Sequence, residues 1–468
     1  MPACRKCSLL KQATFTFAFS PAWQRSVSVF PSAACGEDLV TRRILILYSA
    51  LAPLLFFYIG SDTDISICAV DLLFPVALLA AVRTRRVSLP AFSIALLFYG
   101  ACAAISVVVL GNTSTFGVAA LKCCRLWGIL APLVLVNNRR IGQATLNRCT
   151  AAFVVSGFVS ILIGLVLFFG QLNLVTMRQS YVDGGVLRSR AGGLFGDSSA
   201  FGHLLATWTC VSLLLYAPRL SRTRRILTVS VVLCIVVVGI QSSLSRAALL
   251  NLLVVFFARF VFAPSRLWVK MAAIICMLCL AGIAVQVLDL SRVQLGAPFV
   301  RLAALTETDA GTDELDRFSS GRLTIWARSI DLWLERPLTG VGYKGLALIH
   351  GASPDNNFLL ALTETGIGGF IALTSAFMAV FIVVRRRALE RDPYARAFLL
   401  LWIGQTLHAL TVDVFTFPGS CTVLILLTAA WMASRSTTGP ARPAVVPLSF
   451  PKYAERALVG NTPCRSRS

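Results

Sequence analysis

Apolar residues fall along this chain in long blocks separated by short polar stretches. The blocks show neither the two-residue alternation of a half-buried strand nor the narrow stripe of a soluble helix. A helix needs about 20 mostly apolar residues to cross the hydrocarbon core of a bilayer. Blocks of that kind lie near 44–60, 65–82, 89–110, 116–136, 150–170, 200–217, 226–241, 246–263, 268–288, 357–384, 395–413 and 418–434. Gly and Pro inside several blocks fit this reading, because neighbouring helices in a bilayer satisfy the backbone groups they free. The pattern predicts an all-α polytopic membrane protein with about 12 transmembrane helices.

Composition agrees. Of 468 residues, 57% are hydrophobic and 14% are charged, with a mean hydropathy of +0.77. A soluble domain carries about 25% charged residues, so soluble, disordered, fibrous and disulfide-rich secreted classes are excluded. The net charge of +22, from 43 Lys and Arg against 21 Asp and Glu, would point to nucleic acid in a soluble chain. In a membrane chain it points to cytoplasmic loops, and no nucleic-acid partner is expected. With the N-terminus in the cytoplasm and strict alternation, every inner loop is basic, from Arg83, Arg85 and Arg86 through Arg219 to Arg225 and Arg385 to Arg396. An odd number of spans would break this alternation, so both termini are placed inside.

The spans set the domain plan. Residues 1–42 form an N-terminal arm, read either as flexible or as residues upstream of the true start; 43–288 hold the first nine spans. A large outer loop, expected to contain interfacial helices, runs over 289–355. The last three spans fill 356–434, and 435–468 read as a disordered cytoplasmic tail. The other long outer segment is 171–199. Loops this long are commonly functional, which directs attention to the outer face.

No cysteine lies in an outer loop, so disulfides are not expected. Cys276 and Cys279 lie in a span, and Cys4 and Cys7 lack the second pair of a zinc site. His203, His350 and His408 have no ligand spacing. Asp62 and Asp64 have a spacing that can hold a divalent cation, but Asp64 can equally N-cap the second span. No metal or other cofactor is expected.

Four outer stretches share a character. They are Arg188-Ser-Arg190-Ala-Gly-Gly193-Leu-Phe-Gly196-Asp197, Ser242-Ser-Leu-Ser245-Arg246, Ser320-Gly321-Arg322-Leu-Thr-Ile-Trp326, and Pro354-Asp355-Asn356-Asn357-Phe358-Leu359 leading to Glu364-Thr-Gly366. Arg offers a planar, permanently charged donor fork that matches phosphate oxygens. Gly lets the backbone approach and present its own N–H groups. Taken singly, each Arg could be snorkelling to headgroups; together, at span mouths, they read as an anion site. The third stretch predicts a helix that Pro337 ends at Arg336. Arg322, Trp326, Ser329 and Trp333 would share one of its faces, with Arg322 at the N-terminus, where the helix dipole also favours an anion.

These motifs, with Pro337-Leu-Thr-Gly340-Val-Gly342-Tyr343 after the helix, resemble the O-antigen ligase/polymerase family of bacterial inner-membrane GT-C glycosyltransferases. The resemblance covers roughly 185–370 by motif, and the span plan by architecture. It implies a multi-pass protein of the bacterial inner membrane. The implied donor is an undecaprenyl-diphosphate-linked oligosaccharide, transferred at the periplasmic face without metal. The implied acceptor is a glycan or lipid A-core, and membrane lipids surround the protein. Arg190, Arg246 and Arg322 are the candidates for the donor diphosphate, and Asp355 with Arg322 for catalysis. Asn356, Gly321, Trp326 and His350 are supporting candidates. Ligases of the family carry a His-Asn pair where this chain has Asp355-Asn356, which looks more like the exopolysaccharide and O-antigen polymerases. A polymerase is therefore the first reading and a ligase the second. A lipid-linked sugar transporter is the third, although the chain shows no internal repeat of the kind many transporters have.

Overall fold

The computed structural model describes residues 39–54, 56–58, 66–82, 89–111, 115–137, 141–170, 178–183, 186–262, 322–351, 353–389 and 392–434. Helices occupy every predicted span except the one near 268–288, which lies outside the described residues together with 1–38, most of the large outer loop and the tail. In chain order the first helices are α1 (Leu39–Leu51), α2 (Ala69–Val82), α3 (Ala91–Val108), α4 (Phe116–Asn137) and α5 (Gln143–Phe169). Then come α6 (Ser198–Val211), α7 (Arg222–Ser243) and α8 (Arg246–Phe262). Beyond the undescribed stretch lie α9 (Arg322–Glu335), α10 (Gly345–His350), α11 (Asn357–Leu389), α12 (Pro393–Thr411) and α13 (Pro418–Ser434). Six helices among the described residues are long and apolar enough to cross a membrane: Ala91–Val108, Phe116–Val136, Gln143–Phe169, Ser198–Arg219, Arg222–Ser243 and Asn357–Leu389. The protein is thus an almost entirely helical, multi-pass membrane protein.

The first span and the 171–199 segment differ from the sequence reading, while the sixth span matches it. The first span stops at Leu51 rather than running to 60, because Pro53 cannot continue the helix. The chain instead forms β1 (Phe56–Tyr58), antiparallel to β2 (Ser66–Cys68), before α2 begins at Ala69. The outer segment 171–199 carries a hairpin of β3 (Arg178–Asp183) and β4 (Val186–Ala191), with Gln179 opposite Arg190. The sixth span continues beyond α6 through a π turn at Ser212–Tyr216 and a 3-10 turn at Ala217–Arg219.

α13 is the axis of the bundle. Every residue from Pro418 to Met432 is buried, as expected of a helix apolar on all sides. It packs against α4, α5, α1 and α6. Small residues let the other helices close in, the common device where lipid supplies no hydrophobic drive between helices. A Cβ at Gly157 would stand 2.6 Å from Trp208, and one at Gly239 would stand 2.7 Å from Leu205. One group of polar side chains buried between helices is joined in a chain. His203 Nε2 donates to Gln405 Oε1 (2.7 Å), Gln405 Nε2 donates to Thr207 Oγ1 (2.9 Å), and the Ser420 hydroxyl bonds His203 Nδ1. This ties α6, α12 and α13 at one level. Large apolar side chains such as Leu79, Ile105, Phe257 and Ile382 point outward, the face a bilayer would cover.

Candidate functional site

The site forms where α9 meets the start of α11. α9 begins at Arg322 and ends at Glu335, just before Pro337, as the sequence predicts. The face holding Arg322, Trp326, Ser329 and Trp333 makes the contacts. Arg322 Nη2 donates to Asp355 Oδ2 at 2.9 Å. The Trp326 indole N–H donates to the Pro354 carbonyl one turn along. Ser329 is buried, and its carbonyl accepts from Thr363 Oγ1 at 3.2 Å. A stripe legible in the sequence thus fastens α9 onto α11 and the residues just before it, over about two turns.

Asn356 caps α11. Its side-chain oxygen accepts from the Phe358 and Leu359 N–H groups at 3.0 and 3.1 Å. Asp355 is left outside the helix with φ 43, a left-handed conformation uncommon for a residue with a Cβ. Such strain gathers at sites whose surroundings over-determine them. The Arg322 and Asp355 side chains are 29% and 47% exposed. An ion pair this open contributes about 0–1 kcal/mol, so an incoming anion can take Arg322 from its partner at little cost.

The hairpin brings a second arm. Arg190 is the penultimate residue of β4. After the 3-10 turn at Gly193–Phe195, Asp197 caps α6, accepting from the Ser199 N–H at 2.7 Å. Asp197 lies close enough to both Asp355 and Arg190 to feel their charges. Burial pushes its carboxyl above the usual carboxylate range; the Ser199 and Ala200 N–H groups oppose this, Asp355 adds to it, and Arg190 opposes it. Arg190, Asp197, Arg322 and Asp355, from distant parts of the chain, thus form one loose electrostatic cluster, with Arg322 and Asp355 in contact.

Arg246 opens α8 behind this cluster. Ser245 caps that helix through the Ala248 N–H at 3.3 Å. A Cβ on Gly202 of α6 would stand 2.6 Å from the Ser245 Cβ. Gly202 follows Asp197 by five residues, about 7.5 Å along the helix, so α8 starts against α6 about that far along from the Asp197 cap. His350 ends α10, five residues before Asp355 in the chain. Gly321 lies outside the described residues, as do the Asp62–Asp64, Cys4–Cys7 and Cys276–Cys279 pairs.

Beneath the cluster α11 is broken. Gly366 has φ 69 and ψ −171, and the segment after α9 fills the gap. Val341 N–H donates to the Thr363 carbonyl (2.9 Å), Gly342 N–H to the Glu364 carbonyl (3.1 Å), and Ile367 N–H to the Pro337 carbonyl (2.9 Å). Irregular backbone is tolerated at membrane depth only when protein covers it in this way. Lys344 Nζ donates to Asp413 Oδ2 at 2.7 Å, with the two side chains 10% and 8% exposed. Burial works against the Lys344 charge, but Asp413 and Glu364 outweigh it and hold the ammonium charged. Removing one partner of a buried pair costs about 3–5 kcal/mol, far more than opening the Arg322–Asp355 pair. Glu364 is 1% exposed and is approached by Lys344 and Lys122.

The sequence reading gave no role to Asp197, Lys344 or Asp413. Their signal was present, since each is a charge set directly beside apolar helix. Their partners, however, lie far off in sequence, Asp413 being 69 residues from Lys344. Residues 229–374 match the sequence model of the family described as O-antigen ligase. No curated protein matches the chain.

Proposed function

A domain of the O-antigen ligase family at residues 229–374 supports membership of the O-antigen ligase/polymerase family, and from that premise we propose that this chain is a polysaccharide polymerase. It transfers a glycan from undecaprenyl diphosphate to a hydroxyl of another lipid-linked repeat unit, at the periplasmic face of the bacterial inner membrane. The single observation that carries this reading is the Arg322–Asp355 contact of 2.9 Å. An arginine, able to bind diphosphate, lies beside a carboxylate, able to accept a proton, at the position where ligases of the family carry His, and this supports the reading.

The chemistry follows from the charges. Diphosphate is a good leaving group, so the protein must chiefly hold it and stabilise the charge it develops. The diphosphate draws Arg322 from Asp355, joined by Arg190 and Arg246. Asp355, freed of its partner, accepts the proton of the acceptor hydroxyl. That oxygen bonds to the anomeric carbon as the bond from carbon to phosphate oxygen breaks, and undecaprenyl diphosphate leaves with the electron pair. No step calls on a metal, so transfer should continue in EDTA; loss of transfer that added magnesium restores would overturn the metal-free reading.

Deleting the gene in its host and sizing the sugars left on undecaprenyl diphosphate tests the polymerase reading. Single repeat units should accumulate while long polymer disappears. Long chains accumulating beside unmodified acceptor lipid would make the protein a ligase instead. Repeat units held on the cytoplasmic side would make it a transporter.

A further inference from the structure

We propose that the buried Lys344–Asp413 pair is the positioning element of this site: it latches the Gly340–Lys344 loop into the break of α11 and so fixes where Asp355 stands relative to Arg322. What is positioned rests on the function proposed above; the latch itself rests on geometry alone.

The loop is held in an unfavourable shape. Gly340 has φ 67, Gly342 φ 101 and Lys344 φ 61. Glycine adopts such angles freely, but Lys344 does not. The loop also has no room to drift. Tyr343 N–H donates to Ser106 Oγ of α3 at 3.0 Å, and a Cβ on Gly342 would stand 2.6 Å from Leu110. Its far anchor is fixed as well. The second oxygen of Asp413 accepts from the Phe415 N–H at 3.2 Å, setting the link between α12 and the fully buried α13.

The near side reaches the site. The loop bonds the carbonyls of Thr363 and Glu364, at the end of the half-helix that starts at Asn357. Thr363 also binds the Ser329 carbonyl of α9. Asp355 precedes that half-helix and Arg322 opens α9, so both ride on the piece that the loop pins. A buried ion pair is weak evidence for added stability, since apolar residues of similar volume often do as well. It does select one arrangement among several. Catalysis needs such selection, because a displacement of about 1 Å can cost about 100-fold in rate.

The test uses the full chain in lipid vesicles, with two readouts. Trypsin can cut after residue 344 only when the loop leaves α11; the fragment is identified by mass. Transfer is followed with a lipid-diphosphate-linked repeat unit. D413N should be cut at 344 while the parent and K344R stay intact there. D413N should also lose about 100-fold in kcat with the donor KM unchanged, and K344R should retain most transfer. K344Q, which leaves the Asp413 bond to the Phe415 N–H intact, should lose transfer as D413N does, and it decides the matter if D413N fails to reach the membrane. D413N that resists cutting and transfers like the parent would overturn the proposal. So would a raised donor KM at unchanged kcat, or a K344Q protein that reaches the membrane and transfers like the parent. Arg322→Ala is the control: if it transfers normally, the site assignment fails while the trypsin readout still reports on the latch.

Discussion

Asp355 and Asp413 each hold a cation, at 2.9 and 2.7 Å, yet only the second partnership is hard to break. Burial makes the difference, and it separates a group that must change partners from one that must not. Arg322→Ala and Asp355→Ala are both expected to lower glycan transfer by about 100-fold or more, with protein in the membrane unchanged. Immunoblots of membranes beside a transfer assay check this, and normal transfer in both variants would remove the assignment. Asp197 titrates differently. Its carboxyl is held above its unfolded value mainly by burial, so the folded state binds the proton more tightly. Its contribution to stability is therefore present at low pH and is lost as pH rises from the ordinary carboxylate range through the folded value. Asn caps helices as well as Asp does. Asp197→Asn should therefore keep α6 and flatten this part of the pH dependence of thermal unfolding in micelles; an unaltered profile would contradict the reading. At this scale the sequence singled out Arg190, Arg246, Arg322 and Asp355 as candidates. It could not show that Arg322 and Asp355 bond, because no period links positions 33 apart.

Elements carry information that side chains do not. The run Glu364-Thr-Gly-Ile-Gly-Gly reads as an apolar helix that tolerates glycine, so one continuous span near 357–384 was the natural expectation. The break at Gly366 stays hidden because its partner is backbone, and backbone leaves no residue pattern. Pro337, Gly340 and Gly342 were legible as a turn, but not as a plug for another helix. A Cβ on Gly340 would stand 2.5 Å from the Glu364 carbonyl carbon. Gly340→Ala should thus destabilise by at least the strain of a left-handed residue, about 1–3 kcal/mol, read as a lower thermal midpoint. Asn356→Ala should cost about 1 kcal/mol by removing the cap of α11, and Asn356→Asp should not. Equal midpoints for these two variants would show that the cap is not what holds the start of the helix.

Over the whole molecule, the apolar helices were legible and their neighbours were not. Hydropathy marks a segment as apolar, but it does not say whether lipid or protein covers it. Leu79 and Leu426 look alike in sequence, yet one is 68% exposed and the other fully buried. The basic loops carry the remaining information, the side of the membrane. Alkaline phosphatase, active only outside the cytoplasm, should be active when fused after Leu244 or Asp355 and silent after Leu220 or Arg391. The reverse pattern would invert the protein and move the site to the cytoplasmic face.

The tie between Lys344 and Asp413 also carries a consequence for how the protein is made. Ribosomes deliver residues in order, so Arg190, Arg246, Arg322 and Asp355 all enter the membrane before Asp413 exists. Until the last helical pair is inserted, the nascent chain holds every charged group of the site and lacks the anchor that arranges them. Truncation before residue 413 should therefore leave an inserted protein whose site lacks its anchor, and the same order of synthesis keeps a half-made chain from acting before the whole is assembled.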